Sequence, residues 1–200
     1  MSLKSIGALL FATVALTGAF ATNASAVAWK FNGTTLAGSE TLVSHALESS
    51  LTVPGLTTTC KPFVYVMTIS NSAGTGRGSI TEVPLSNCST NTKSCTVSKI
   101  QAKGLPWTTG LTTVGPSNYL VIEGFKLGIL YGGEECALNE TEIVIKGTAG
   151  GLIENATESV TFSSSSFTAT GTSLGTGIKW NGTFRMIATG SHIGQSLSVS

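Results

Sequence analysis

The sequence predicts an all-β protein whose strands form an antiparallel sandwich of two sheets. Three observations favour this fold. Apolar and polar residues alternate with period two along several segments, which is the period of a strand. Glycine, asparagine and proline separate these segments at short intervals, as turns do in all-β proteins. No segment after the N-terminus requires a helix, so the rest of the chain is expected to consist of short strands.

The N-terminus has the three-part pattern of a cleaved secretory signal peptide, predicted to form a helix within residues 1–26. The start is basic at Lys4, Ile6 to Ala21 is apolar, and Ala24 to Ala26 supplies small residues for cleavage. The apolar run is shorter than the about 20 residues of a bilayer-spanning helix. Residues 27–200 are then expected to form one sandwich domain in the cell envelope or the extracellular space.

The longest alternating segment, Tyr119 to Lys146, predicts a hairpin at the centre of the fold. Apolar residues occupy most odd positions of its first arm, and the second arm follows the glycines at 132 and 133. The first arm is long for one flat strand, so Gly124 or Gly128 is expected to form a bulge.

Shorter strands and turns account for the other segments. Asn32-Gly33 and Asn181-Gly182 each predict a tight turn. Residues 39–51 fit either a helix or a strand, and their Ser and Thr content favours a strand. The competing fold is an outer-membrane barrel, which would show aromatic girdles on alternating strands. The small number of aromatic residues favours the sandwich.

Charge and composition argue against several classes of partner and cofactor. Removing the signal peptide takes away Lys4 and leaves ten basic and ten acidic side chains. A neutral surface gives no electrostatic reason to bind nucleic acid or an anionic membrane. The chain contains no aspartate, which EF-hand calcium loops use, and His45 and His192 are too few for a three-histidine metal site. No cofactor or metal is predicted.

Four cysteines, an even number in an exported chain, predict two disulfides. Three pairings are possible. The short polar loop between Cys88 and Cys95 favours a bridge between these two, which leaves Cys60 to pair with Cys136. Zinc sites usually show paired C-x-x-C spacing, which is missing here.

Three glutamates, Glu123, Glu140 and Glu142, are the candidates for acid/base chemistry or ligand binding. Glu140 and Glu142 share one face at strand spacing. Glu123 interrupts the apolar face of the hairpin, where a buried carboxylate needs a partner unless a bulge turns it outward. Ser173 lies in a G-T-S-L-G match to the hydrolase nucleophile elbow, but no acidic residue follows it. No catalytic residue is predicted.

Three tryptophans, Trp29, Trp107 and Trp180, are candidates for binding sugar rings, because exposed aromatic faces can stack on them. Packing in the core is the alternative.

The chain resembles a loose group of exported bacterial proteins that are rich in Thr, Ser and Gly. The shared features are W-x-x-N-G at Trp29 to Gly33, a close cysteine pair at Cys88 and Cys95, L-P-W at Leu105 to Trp107, and C-A-L at Cys136 to Leu138. The resemblance implies export and a β-sandwich, and it assigns no site.

Together these observations predict a non-catalytic protein of the cell surface or extracellular space. Its role is expected to be structural, or to consist of binding a glycan or another protein. The alternative function is that of a secreted hydrolase, such as a glycosidase, that uses Glu123, Glu140 or Glu142.

Overall fold

A computed structural model of the protein describes residues 26–163, 165–170 and 177–200. The predicted signal peptide, apart from its last residue, and the motif around Ser173 lie outside the described residues. The all-β prediction is confirmed: besides strands, the described residues contain one short 3-10 helix at Asn155–Thr157. Within the same residues, no helix is long and apolar enough to cross a bilayer.

Sixteen strands are described. In chain order they are β1 (Trp29–Phe31), β2 (Thr34–Thr35), β3 (Ser39–Ala46), β4 (Ser49–Val53), β5 (Leu56–Cys60), β6 (Phe63–Ser72), β7 (Thr75–Glu82), β8 (Cys88–Thr90), β9 (Thr96–Ala102), β10 (Trp107–Val114), β11 (Ser117–Gly132), β12 (Glu142–Glu154), β13 (Ser159–Phe162), β14 (Ser165–Thr170), β15 (Lys179–Ala188) and β16 (Leu197–Val199).

The main sheet closes into a barrel, so the prediction of a two-sheet sandwich is wrong. Eight antiparallel strands follow in the order β13, β12, β11, β10, β7, β6, β3 and β15, and β15 pairs back with β13. Ser159 lies opposite Arg185 and Phe162 opposite Gly182 in this closing pair. Closure gives each of these strands a neighbour on both sides and removes exposed edges, which two separate sheets would retain.

Most aromatic side chains of the described residues are buried and contact one another. Trp180 stacks on Phe162 with ring centroids 4.3 Å apart, and Phe184 meets Trp180 edge to face at 5.4 Å. Such pairs contribute about 0.5–1.5 kcal/mol beyond the area that they bury. The buried aromatic residues are Trp29, Phe31, Phe63, Tyr65, Trp107, Phe125, Tyr131, Phe162, Phe167, Trp180 and Phe184.

Three long strands continue beyond the barrel and pair there with other strands, which forms an extension of the main sheet. β11 passes from β10 to β9, β12 from β13 to β14, and β15 from β3 to β4. The extension consists of two arms, β9-β11-β12-β14 and β15-β4-β5-β8. The buried hydroxyls of Thr58 in β5 and Tyr131 in β11 lie 2.7 Å apart and connect the two arms.

Two disulfides are present, as predicted, but the expected pairing is wrong. Cys60 bonds Cys88, and Cys95 bonds Cys136. Cys88 does not close the polar loop with Cys95, because it lies in β8 directly opposite Cys60 of β5, with 4.0 Å between the two Cα atoms. Side chains at such opposed positions are close enough to bridge. The first disulfide therefore lies within the arm β15-β4-β5-β8, whereas the second joins the residue before β9 to the β11–β12 connection.

A small sheet of β16, β1 and β2 packs against the main sheet. Trp29, Phe31, Leu197 and Val199 are buried there. The side chain of Asn71 bonds the backbone of Trp29 in both directions, at 2.9 and 3.0 Å. The N- and C-terminal parts of the described chain are thus held together on the barrel.

Local predictions had mixed outcomes. Asn32-Gly33 forms the predicted turn between β1 and β2, with φ of 47° and 78°. Asn181-Gly182 does not form a turn but lies inside β15. A Cβ atom at Gly182 would lie 2.8 Å from Ser49 Oγ, so this glycine permits close approach of the neighbouring strand. Ser39–Ala46 is a strand, and the predicted bulge occurs at Gly124.

Candidate functional site

The structure buries all three tryptophans proposed for stacking on sugars. Trp29 is 0% exposed, and Trp107 and Trp180 are each 2% exposed. The indole nitrogen of Trp180 donates to Ser49 Oγ at 2.7 Å, and that of Trp107 donates to the Lys103 carbonyl at 2.9 Å. None of these rings presents a face to a ligand.

The three candidate glutamates are exposed, and Glu123 lies far from Glu142. Glu142 at the start of β12 lies opposite Leu130, seven residues along β11 from Glu123. That spacing separates the two positions by roughly 20 Å at the rise of a strand. Glu140 lies in the β11–β12 connection with φ 58°, and Glu142 pairs with Lys103 at 2.6 Å. Glycoside hydrolysis needs two carboxyl groups about 5 to 10 Å apart across a cleft, and the separation of Glu123 from Glu142 does not provide it.

The bulge in β11 produces an open depression on the outer wall. The register between β11 and β12 shifts between Ile122 and Phe125, and Gly124 adopts φ 72°, a conformation that favours glycine. β11 also exchanges β10 for β9 at this point. The resulting depression has a volume of about 480 Å³. Its lining residues are Gly124, Phe125, Lys126, Lys146, Gly147, Thr148 and Thr168.

Two exposed lysines dominate the charge of this depression. Lys126 of β11 and Lys146 of β12 are direct cross-strand partners, and Thr168 of β14 is the next residue in the same row. No carboxylate of the described residues lies within ion-pairing distance of either ammonium. Like charges in directly opposite positions destabilise a sheet. The arrangement thus concentrates uncompensated positive charge.

A second polar cluster surrounds Glu40, which is 4% exposed. Its Oε1 accepts a hydrogen bond from the Thr41 amide at 2.9 Å. Its Oε2 accepts from Ser191 Oγ at 2.9 Å, from the His192 amide at 3.0 Å, and contacts His192 Nδ1 at 2.6 Å. The His192 ring stacks on Phe31 at 4.3 Å. Glu40 therefore ties β3 to the segment that follows β15.

These contacts set the ionisation of Glu40. Burial by itself would raise its pKa, but the bonds from His192, Thr41 and Ser191 outweigh burial and lower the pKa from 4.5 to about 2. In a catalytic triad the acid and the nucleophile contact different ring nitrogens of the histidine. Here Glu40 and Ser191 both contact Nδ1, so the arrangement is not that of a catalytic triad. Its role is structural, and we call the contacts of Glu40 with Ser191 and His192 the clamp.

Metal binding finds no support in the described part of the chain. It contains no group of three or more His, Cys, Asp or Glu residues that could hold an ion. His45 lies within β3, and His192 lies in the segment after β15.

Sequence reasoning missed both Lys126 and Glu40. Lys126 and Lys146 are separated by the whole β11–β12 connection, so only the register reveals that they are neighbours. A signal for Glu40 was present, because Glu40, Leu42, Ser44 and Ala46 alternate as the inward residues of one strand. An acid in such a row calls for buried partners.

Comparisons of the chain with protein-family models, curated proteins and solved structures found no significant match.

Proposed function

We propose that this protein is exported and acts as a non-catalytic binding protein at the cell surface or in the extracellular space. Two disulfides support an oxidising location, since such bonds are rare in reducing compartments. The N-terminal sequence pattern described above supports export. The ligand is proposed to be a glycan or a protein.

The observation that carries this proposal is the depression at the Gly124 bulge. Its volume of about 480 Å³ falls in the range of ligand-binding clefts, roughly 300–1,000 Å³. It lies on the paired strands β11, β12 and β14, where the barrel passes into the arm β9-β11-β12-β14, and these strands supply a rigid frame. The hydrolase alternative receives no comparable support, because Glu123 and Glu142 are too far apart to act on one bond.

A glycan array probed with the full, oxidised protein tests the glycan form of the proposal. Thr148→Trp places a bulky ring in the depression and is expected to abolish saturable binding. Thr68→Trp, at an exposed threonine on the outer face of β6, is the matched control and is expected to bind normally. If Thr148→Trp still binds glycans, the binding site lies elsewhere. If the folded wild-type protein binds no glycan on the array, a glycan ligand is refuted.

A further inference from the structure

We propose that the depression binds an acidic saccharide, whose anionic group lies between the ammonium groups of Lys126 and Lys146. This inference rests on the proposed function and specifies the ligand class of the same site. The ligand is a sugar unit that carries a carboxylate, with neighbouring hydroxyls that contact Thr148 and Thr168.

The first argument is the charge that the fold leaves uncompensated. A third lysine, Lys103, also lies near this surface, but Glu142 neutralises it at 2.6 Å. Both side chains cover Gly128, where an added Cβ would lie 2.5 Å from Lys103 and 2.7 Å from Glu142. Lys126 and Lys146 have no such partner among the described residues. A bound carboxylate removes their mutual repulsion.

The second argument is the shape and chemistry of the lining. At Gly124 nothing lies within 4 Å of the position that a Cβ would take, so the bulge leaves open space beside the lysines. The volume of about 480 Å³ is much larger than an inorganic anion needs. Thr168 Oγ1 donates to the Lys146 carbonyl at 3.4 Å and keeps lone pairs that accept from sugar hydroxyls. Lysine stems add aliphatic surface that suits the faces of a sugar ring.

The third argument concerns the kind of anion. Lysine is a compact point charge without the planar fork of arginine, so a lysine pair imposes little geometry on the anion that it holds. Selectivity for a saccharide then depends on the threonine hydroxyls and on the space beside Gly124. A neutral sugar would leave the repulsion between the lysines in place.

The test is calorimetric titration of the full, oxidised protein with a galacturonate oligosaccharide at low ionic strength. The matched ligand control is the methyl-esterified oligosaccharide, which keeps the sugar rings and hydroxyls but lacks the charges. The protein variant carries both Lys126→Gln and Lys146→Gln. The matched protein control is Lys179→Gln, an exposed lysine of β15 outside the depression.

We expect the acid to bind at least about tenfold more tightly than the ester, and the double variant to lose about tenfold in affinity for the acid. Lys179→Gln should bind like the wild type, and added salt should weaken binding of the acid. Thermal unfolding provides the folding control. The double variant should melt at or above the wild-type temperature, because it loses the repulsion between the two ammonium groups.

Three results would overturn the inference. Equal affinity for acid and ester would exclude a role for charge. If the double variant binds the acidic oligosaccharide as tightly as the wild type does, the binding site lies elsewhere. The inference then fails, and the proposed function stands. Failure of the acid, the ester and every array glycan to bind would refute both the inference and the glycan form of the proposed function.

Discussion

Glu40→Gln is expected to destabilise the protein through loss of the clamp that this carboxylate forms. The variant keeps the shape of the side chain but removes its charge. Glu40 Oε2 has three polar contacts, with Ser191 Oγ and with the amide and ring nitrogens of His192. If the glutamine oxygen takes that place, its amide group faces the Thr41 N–H, so that two donors meet.

The magnitude follows from these bonds. A hydrogen bond to a charged group contributes about 1.5–3 kcal/mol, and one between neutral groups about 1 kcal/mol. In Glu40→Gln the contacts made by Oε2 become bonds between neutral groups, and the Thr41 amide faces another donor. Together these changes should lower the free energy of unfolding by about 3 kcal/mol. For a chain of this size that loss lowers Tm by about 6–12 °C.

The effect has a defined pH dependence. The pKa of Glu40 is lowered in the folded protein, from 4.5 to about 2. The unfolded chain therefore takes up a proton first as the pH falls, so stability decreases with decreasing pH in this window. The contribution of the carboxylate is fully present above about pH 4.5 and is lost as the pH falls through about 2.

Urea unfolding of the wild type and variant, measured at pH 7 and at intervals down to pH 2, tests both statements. The matched control is Glu48→Gln, because the Glu48 side chain is 57% exposed in its 2.7 Å ion pair with Lys61. That substitution should change the free energy of unfolding by no more than about 0.5–1 kcal/mol. The clamp is refuted if Glu40→Gln costs no more than Glu48→Gln, or if its cost stays constant from pH 7 to pH 2.

Two further predictions concern the disulfides and the barrel packing. Replacing Cys60 and Cys88 together by Ser opens a loop with a sequence separation of 28 residues. The free energy of unfolding, measured with denaturant, should fall by about 3–4 kcal/mol. Peptide mapping of the wild type that finds Cys88 joined to Cys95 would contradict the pairing described above. Gly151→Ala places a Cβ atom 2.5 Å from Val160 and should lower stability by about 1–3 kcal/mol, whereas Gly150→Ala, which meets nothing within 4 Å, should change it far less.

Local features of the fold could be predicted because they depend on neighbouring residues. The alternation that begins at Tyr119 identifies β11, and Gly124, one of the two glycines expected to form a bulge, does so. Closure could not be predicted in this way, because it also requires β15 to pair with β3, where Arg185 lies opposite His45 although the two residues are far apart in the sequence. Asn181-Gly182 is the same kind of dipeptide as Asn32-Gly33, yet it lies within a strand because tertiary pairing overrides the local turn preference.

The candidate site was less predictable than the fold. Aromatic residues suggested a binding surface, but Trp180 is buried against Phe162 and Phe184. The lysine pair depends on a register that places Lys126 beside Lys146. No spacing rule within one strand reveals such a pair. Glu40 was more accessible to prediction, since it shares the inward face of β3 with Leu42.

The neighbours of β15 have a consequence for the order in which the chain can fold. This strand pairs with β13, with β3 and with β4, and just after it the Thr189 hydroxyl bonds the Thr41 carbonyl across a separation of 148 residues. Until β15 is in place, the edges of β3 and β13 stay open and can pair with other chains. Proteins dominated by such distant contacts fold slowly. We therefore expect a ribosome-bound chain that stops before Lys179 to remain prone to aggregation, and native structure to form only once the last tenth of the sequence is free to dock.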